Sequence, residues 1–284
     1  MIKVSDYTKA YDKTLAVDGL SFDIQPGTIL GMVGPNGAGK TTTMRAIAGI
    51  IVPTDGQIEV FGFNVVTQPK QAKQIVAFIP DDPKLFDTLS VWEHLQFIAA
   101  AYQIQDFRES AESLLEIFEL TEKRNALACE LSRGMRQKVA ICCAYLQRPK
   151  VIMFDEPHTG LDQLAIRRMK QTILERAQSG AAVIVSSHLL SLIEDLCTHL
   201  LILSKGKSLF LGTLEELRSK NPELASGTSL EEIFFKATTG QTDPSNSGSS
   251  ETARIENGSA VAIDPADHST GLVDAAEDPK DEAT

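Results

Sequence analysis

Eight consecutive residues have the types and the spacing of a phosphate-binding loop: Gly34, Pro35, Asn36, Gly37, Ala38, Gly39, Lys40 and Thr41. They fit the pattern G-x-x-x-x-G-K-[ST], in which glycines accept strained φ/ψ values and let backbone N–H groups surround a phosphate. The lysine can reach the β- and γ-phosphates, and the threonine hydroxyl is a usual ligand of Mg²⁺. A helical run follows from Thr42, and its positive N-terminal end favours the same anion. The loop therefore predicts a nucleoside triphosphate site.

A pair of acidic residues, Asp155 and Glu156, is the second candidate for chemistry. It follows the apolar run Val151 to Phe154, which is typical of a strand buried on both faces. Successive side chains at a strand end diverge, so we expect Asp155 to bind Mg²⁺ and Glu156 to face the attacking water. The alternative is two solvated surface acids, and a phosphate loop on a neighbouring strand favours the catalytic interpretation.

His188 is the third candidate, because it closes the apolar run Ala181 to Ser186. A lone histidine is weak evidence, but ligands collect at the carboxyl ends of strands in open α/β sheets. Tyr11 lies upstream of the phosphate loop, where its ring is expected either in the core or stacked on a base.

Apolar periodicity predicts the elements that position these residues. Strands are expected at Ile2–Ser5, Thr14–Ile24, Thr28–Val33, Gln57–Phe61 and Gln74–Ile79, and again at the two apolar runs above. A hairpin is expected from Leu200–Leu203 and Ser208–Leu211. Helices are expected at 42–49, 90–102, 107–118, 132–149 and 162–178, with short ones at 214–219 and 230–237. The pattern predicts an α/β fold with a helical insert at about residues 84–149.

The composition separates the chain into two parts. Residues 241–284 contain ten Asp or Glu against Arg254 and Lys280, whereas the whole chain has a formal net charge of -11. Residues 241–284 thus carry a charge of -8, and residues 1–240 carry only -3. Because residues 1–240 have no large excess of basic side chains, we expect no nucleic-acid partner. From residue 239 onward, small and polar residues replace aliphatic and aromatic ones, which predicts a disordered acidic tail.

Cysteine usage and hydropathy indicate where the chain works. The four cysteines show no C-x-x-C spacing, and the pattern is typical of reduced, mostly buried thiols in a cytosolic protein. The N-terminus lacks the apolar core of a signal peptide, and no stretch reaches the roughly 18 apolar residues of a membrane-spanning helix. We expect a soluble chain.

Taken together, the motifs resemble those of the ATP-binding subunit of ABC transporters over residues 1–238. The segments 34–42 (GPNGAGKTT) and 151–157 (VIMFDEP) resemble the Walker A and Walker B motifs, and 159–162 (TGLD) resembles the D-loop. The segment 186–188 (SSH) resembles the switch-histidine region, and 131–138 (LSRGMRQK) resembles the family signature. This resemblance implies a P-loop NTPase (RecA-like) core with a mainly parallel sheet, an N-terminal antiparallel β subdomain and a helical subdomain at about 84–149.

The resemblance also implies roles for individual residues. His188 would contact the γ-phosphate of ATP, and Tyr11 would stack on its adenine. Ser132 and Gly134, at a helix N-terminus, would grip the γ-phosphate held by a second subunit, and Asp162, in the D-loop segment, would be a further nucleotide-binding residue. Two subunits, identical or paralogous, would therefore close around two ATP molecules with Mg²⁺ and drive a separate transmembrane permease.

Two positions depart from the family pattern. Arg133 stands where the signature commonly has Gly, and it is expected either to add positive potential near the partner's phosphate or to point to solvent. Asp81 stands at the Q-loop glutamine, so we expect it to contact Mg²⁺ and the attacking water in an altered way. With Met135, the signature takes the form S-x-G-M-x-Q-K, which is similar to that of the multidrug, antibiotic and ABC-2 exporters.

The expected function is therefore an ATPase subunit, held at the inner face of the cell membrane by an exporter. Phe86 and Trp92 are candidates for exposed side chains in a groove that receives the permease, with core packing as the alternative. Two other functions remain open: a soluble ABC-type ATPase outside transport, or a regulatory module that binds ATP with slow turnover. Asp81 favours the second of these, whereas Glu156 and His188 oppose it.

Overall fold

The structure, a computed structural model, describes residues 1–219. Among these residues it contains ten strands: β1 (Ile2–Tyr11), β2 (Thr14–Ile24), β3 (Ile29–Val33), β4 (Asp55–Val60), β5 (Phe63–Asn64), β6 (Val76–Ile79), β7 (Val151–Asp155), β8 (Ala182–Ser186), β9 (His199–Ser204) and β10 (Lys207–Gly212). Eight α-helices accompany them: α1 (Lys40–Ile47), α2 (Pro69–Gln74), α3 (Val91–Ala101), α4 (Phe107–Ile117), α5 (Arg133–Leu146), α6 (Gln163–Gln178), α7 (Leu190–Leu196) and α8 (Leu214–Ser219). This is the α/β fold that the sequence predicts.

The central sheet has the strand order β10-β9-β3-β8-β7-β6, and all its pairs are parallel except β10 with β9. Its inner strands β3, β8 and β7 are buried at every residue because both faces of the sheet are covered there. In β7, for example, Ile152 and Phe154 pack into one hydrophobic core, and Val151 and Met153 pack into the other. The first core contains side chains of α3 to α7, and the second contains α1 and the N-terminal strands.

The N-terminal strands form a separate antiparallel sheet of order β2-β1-β4-β5, as the sequence predicts. Strand β1 is longer than expected, since it continues past Ser5 to Tyr11. Its pairing with β2 changes register three times between Val4 and Ala10, and such irregularities interrupt the two-residue alternation that marks a strand. Tyr11 therefore lies at the end of a strand, opposite Thr14.

Helices α3, α4 and α5 form the expected helical insert. Ser90 caps α3 through a reciprocal capping box with Glu93, and Ser132 accepts a hydrogen bond from the backbone of Met135 at the start of α5. Only 8% of Trp92 is exposed, so core packing, the alternative interpretation, applies to this residue. Its ring packs against Phe107 and under the guanidinium of Arg124, so it stabilises the insert. Phe86, by contrast, is 54% exposed, as expected.

Two short helices were not predicted from the sequence. Helix α2 has six residues and α7 has seven, so neither completes enough turns to establish a periodic apolar stripe. The expected helix at 230–237 and the acidic tail lie outside the described residues. Between residues 1 and 219, no helix combines the length and the hydropathy required to cross a membrane.

Candidate functional site

The candidate residues meet at the carboxyl ends of three parallel strands. Strand β8 lies between β3 and β7, with Met32 opposite Ser186 on one side and Asp155 opposite Ser186 on the other. The phosphate loop and the acidic pair are thus on next-nearest strands, and the expectation of directly neighbouring strands is wrong. The intervening strand places Ser186 and, two residues later, His188 between them. The site lies where ligands bind in open α/β sheets.

The phosphate loop is shaped by glycines at three crowded or strained positions. Gly37 and Gly39 have φ values of 79° and 103°, a region that favours glycine. A Cβ on Gly34 would lie 2.4 Å from the carbonyl oxygen of Leu203, so only glycine fits the close approach of this loop to β9. These positions direct the loop backbone toward the start of α1, which is the arrangement that cradles a phosphate.

Lys40 is buried in this loop, with 8% of the residue exposed. Its Nζ donates hydrogen bonds to the carbonyl oxygens of Gly34, at 2.6 Å, and Pro35, at 3.2 Å. Burial lowers the pKa of the Lys40 ammonium, whereas the carboxylates of Glu156 and Asp155 raise it. The acidic pair therefore lies close enough to act electrostatically on the lysine of the phosphate loop.

Ser186 organises the acidic pair. Its Oγ donates a 2.6 Å hydrogen bond to Oδ1 of Asp155 and accepts one from the backbone N–H of Glu156 at 3.1 Å. Asp155 is 5% exposed and Ser186 is fully buried. Glu156 has a φ of 49°, a left-handed conformation that a non-glycine residue seldom adopts. The chain thus turns sharply after Asp155 and sends the two carboxylates in different directions, as expected.

Glu156 faces two histidines. Its Oε2 accepts hydrogen bonds from the backbone N–H of His188, at 3.2 Å, and from the Nδ1 of that ring, at 2.8 Å. Nδ1 of His158 lies 4.0 Å from the same oxygen, and the two imidazole rings are 4.9 Å apart at their centroids. Burial lowers the pKa of His158, with Glu156 opposing and His188 reinforcing the shift. His158 was not among the predicted site residues, although its position two residues after Glu156 was a usable signal.

A cavity of about 390 Å³ lies beside the phosphate loop. Residues of the loop and of the start of α1 line it, together with Tyr11, Leu15 and Glu156. Tyr11 is 44% exposed, and Nζ of Lys9 lies 4.9 Å from the centroid of its ring. The side chain is therefore a surface ring at the mouth of the cavity, which favours the base-stacking interpretation over core packing.

Three other expected ligands lie apart from this cavity. Ser132, Gly134 and Asp162 are absent from its lining within residues 1–219. A Cβ on Gly134 would lie 2.2 Å from the carbonyl oxygen of Gly160, so α5 begins directly against the 159–162 loop. Asp162 caps α6 by accepting a hydrogen bond from the backbone of Ala165, and this bond lowers its pKa. The expected ligands therefore do not all line one cavity of this chain.

The two residues that depart from the family pattern contact one another. Nη2 of Arg133 lies 2.9 Å from Oδ1 of Asp81, and both side chains are nearly half exposed. Four residues further along α5, the side-chain amide of Gln137 donates a hydrogen bond of 3.4 Å to the carbonyl oxygen of Pro80. The loop after β6 therefore hydrogen-bonds two residues of α5 that lie one helical turn apart. Arg133 pairs with an acid of its own chain, an outcome that neither alternative for this residue included.

The donor groups fit a nucleotide with a magnesium ion. The glycine positions leave room for phosphate beside loop N–H groups, and Lys40 supplies a cation. The hydroxyl of Thr41 and the carboxylate of Asp155 are oxygen ligands of the kind that Mg²⁺ prefers. Asp155 lies opposite Ser186 at the carboxyl end of β7.

Comparisons with known proteins agree with this geometry. Residues 17–159 match the family model described as "ABC transporter". The chain is 35% identical to the ABC-type transporter ATP-binding protein EcsA of Bacillus subtilis (strain 168), over 78% of this chain and 90% of that protein. It is 36% identical to the bacitracin transport ATP-binding protein BcrA of Bacillus licheniformis, over 78% of this chain and 72% of that protein.

A solved structure supports the same assignment. It is described as an ATP-binding subunit of an ABC transporter, and it superposes with a TM-score of 0.80 and 31% sequence identity over 84% of this chain and 99% of that one. Both the motifs and the fold are therefore those of a nucleotide-hydrolysing cassette. The chain belongs to the ABC transporter family as an ATP-binding subunit with ATPase activity.

Proposed function

We propose that the chain hydrolyses ATP with Mg²⁺ in order to drive a separate membrane permease. The observation that carries the proposal is the convergence of Lys40, Asp155, Glu156 and His188 on one edge of the sheet, with Ser186 between them. Phosphoryl transfer to water requires charge neutralisation, a bound metal and an oriented nucleophile, and these groups supply all three.

Within the chain, each group has a separate task in the proposal. The loop 34–41 binds the phosphates, Lys40 contacts the β- and γ-phosphates, and Thr42 lies at the N-terminal end of α1 near the same anion. Thr41 and Asp155 would hold Mg²⁺, which would neutralise charge on the phosphates. Tyr11 stacks on the adenine at the mouth of the cavity.

Hydrolysis itself depends on the pair of Glu156 and His188. The carboxylate of Glu156 orients and deprotonates the attacking water, and His188 contacts the γ-phosphate. Their 2.8 Å hydrogen bond supports this division, because it holds the imidazole beside the position of the reacting water. Asp81 can contact the Mg²⁺ ion and the attacking water only after its ion pair with Arg133 breaks. We propose that this rearrangement slows ATP hydrolysis.

The second part of the site comes from another subunit. Ser132 and Gly134, at the N-terminus of α5, would contact the γ-phosphate bound by the facing subunit, and Asp162 would lie at the same interface. The separation of these residues from the cavity supports a dimer that closes around two ATP molecules. The partner is a second copy of this chain or a paralogue.

The permease would dock on the helical insert. Phe86 and Phe97 are 54% and 49% exposed and pack edge to face at 5.3 Å, and they border an apolar groove with Pro83, Leu85 and Ile98. Exposed aromatic pairs of this kind mark protein interfaces. We propose an ABC-2 type exporter as the occupant, because of the S-x-G-M-x-Q-K signature and the similarity to a bacitracin transport protein. The chain would then be cytoplasmic and peripheral at the inner face of the membrane.

Gel filtration with ATP tests the dimer. Glu156→Gln should keep ATP binding and accumulate a dimer that contains ATP, because the carboxylate that activates water is lost. Lys40→Ala should lose nucleotide binding and remain monomeric. A Glu156→Gln protein that binds ATP but stays monomeric would contradict the closed-dimer proposal.

Co-purification from detergent-solubilised membranes tests the transport function. ATP hydrolysis by the complex pulled down through this chain is compared with hydrolysis by the chain alone. We expect a polytopic membrane protein and a stimulated rate, and Phe86→Ser combined with Phe97→Ser should lose both. Equal rates with only soluble partners would favour an ATPase outside transport.

A further inference from the structure

Glu156, His158 and His188 form a compact group of metal-binding side chains. One ligand atom from each lies within 4.8 Å of the others. The first two residues belong to the turn after β7, and the third follows β8. Ligand atoms around a four-coordinate zinc ion lie roughly 3.3 Å apart, given Zn–N and Zn–O distances of about 2.0–2.1 Å. Small rotations of the side chains would therefore bring the three atoms to one ion.

The donor set selects a different ion from the one expected at the nucleotide. Two imidazoles and one carboxylate suit Zn²⁺, Cu²⁺ or Ni²⁺, whereas Mg²⁺ prefers oxygen ligands alone. Sites with two histidines, one glutamate and an open fourth position are a known zinc arrangement. The side chains of His158 and Glu156 are 13% and 18% exposed, and that of His188 is 70% exposed, so an ion can enter from solvent on the His188 side.

We propose that Glu156, His158 and His188 bind one divalent transition-metal ion, with Zn²⁺ as the reference ion, and that this ion inhibits ATP hydrolysis. The Nδ1 proton of His188 moves to Nε2, so the neutral ring binds through Nδ1 without losing a proton, and its hydrogen bond to Glu156 is replaced by two bonds to the metal. The positive charge of the bound ion lowers the basicity of the Glu156 carboxylate, and its Oε2 is occupied by the ion, so Glu156 deprotonates water less readily. Only this inhibitory consequence rests on the proposed roles of Glu156 and His188, whereas the binding site does not.

The position of His158 argues that it is placed for this purpose. It contributes no group to the proposed ATP hydrolysis, yet its partly buried ring lies beside that of His188 with an interplanar angle of 62°. Its Nδ1 also lies 3.3 Å from Oγ of Ser187, a fully buried serine. An ion bound at Nδ1 would replace this hydrogen bond, and Ser187 holds the nitrogen on the side of Glu156 until the ion enters.

Cobalt binding to the full, untagged, nucleotide-free chain tests the site, because Co²⁺ in a tetrahedral site absorbs visible light. We expect one Co²⁺ per chain, displaced by Zn²⁺. His158→Ala and His188→Ala should each weaken binding at least 10-fold. His199→Ala is the matched control, since that exposed ring contacts only its neighbour Thr198 among the recorded hydrogen bonds of residues 1–219. It should bind Co²⁺ with wild-type affinity.

The inhibitory consequence is tested by ATP hydrolysis at saturating Mg²⁺ and ATP. Micromolar Zn²⁺ should inhibit the unmodified chain, and His158→Ala should require at least 10-fold more. The proposal is overturned if both histidine variants bind Co²⁺ as the unmodified chain does, or if His199→Ala loses binding equally. Co²⁺ binding without measurable ATP hydrolysis would support the metal site and contradict the proposed function instead.

Discussion

Replacing Ser186 by alanine removes the only recorded side-chain hydrogen bond to Asp155 among residues 1–219. Because Asp155 is 5% exposed and Ser186 is fully buried, water has poor access to replace the lost donor. Hydrogen bonds to charged groups contribute about 1.5–3 kcal/mol, and an unsatisfied buried partner costs a similar amount. We therefore expect Ser186→Ala to lower the free energy of unfolding by about 2 kcal/mol.

The change should also affect the site directly. Ser186 Oγ orients one carboxylate oxygen of Asp155 and the backbone of Glu156, so it acts on the reaction through them. Outer-shell partners of this kind typically alter metal affinity 10- to 100-fold. We expect the Mg²⁺ concentration that gives half-maximal ATP hydrolysis to rise by at least 10-fold.

Urea unfolding of the nucleotide-free chain and magnesium titration of ATP hydrolysis provide the two measurements. Thr172→Val is a matched control, because it removes another buried hydroxyl, which hydrogen-bonds Tyr145 in the core that contains α3 to α7. It should lower stability without changing the magnesium requirement. A loss below about 0.5 kcal/mol for Ser186→Ala, with an unchanged magnesium requirement, would refute the reasoning from buried hydrogen bonds.

Three further predictions follow from particular contacts. Gly31→Ala should destabilise the chain by about 1–3 kcal/mol in thermal unfolding, since the new Cβ would lie 2.7 Å from Cγ2 of Ile193, and adding Ile193→Ala should cost less than the sum of the two changes. A double-mutant cycle on Arg133→Ala and Asp81→Asn should give a coupling of about 0.2–1 kcal/mol that decreases with salt, because the pair is nearly half exposed; a coupling above 2 kcal/mol would contradict this assignment. In the native chain a thiol reagent should label Cys129 quickly and the three buried cysteines slowly, whereas all four should react at once in denaturant.

The local parts of the site were predictable from sequence. The phosphate loop is a contiguous stretch whose glycine φ values and lysine are specified by neighbouring residues, and the caps at Ser90, Ser132 and Asp162 depend on bonds within three positions. The buried parallel strands were recognisable from their unbroken apolar runs. The fold class and the family are confirmed, while the roles of individual site residues stay predictions.

The long-range contacts were not predictable. The hydrogen bond between Ser186 and Asp155 spans 31 residues, and that between Arg133 and Asp81 spans 52. Both depend on which strands and helices lie side by side, and an apolar run does not encode its neighbour in a parallel sheet. The buried Trp92 shows the same limit, since its exposure was decided by the approach of α4.

The amino-acid sequence by itself thus determined the chemistry available to this protein, because phosphate binding, capping and strand formation are local properties of neighbouring residues. The tertiary structure alone decided how these groups act on one another. By placing β8 between β3 and β7, it brought Ser186 to Asp155 and His188 to both Glu156 and His158. That order follows from the packing of the whole chain around two cores, which no single stretch of sequence specifies.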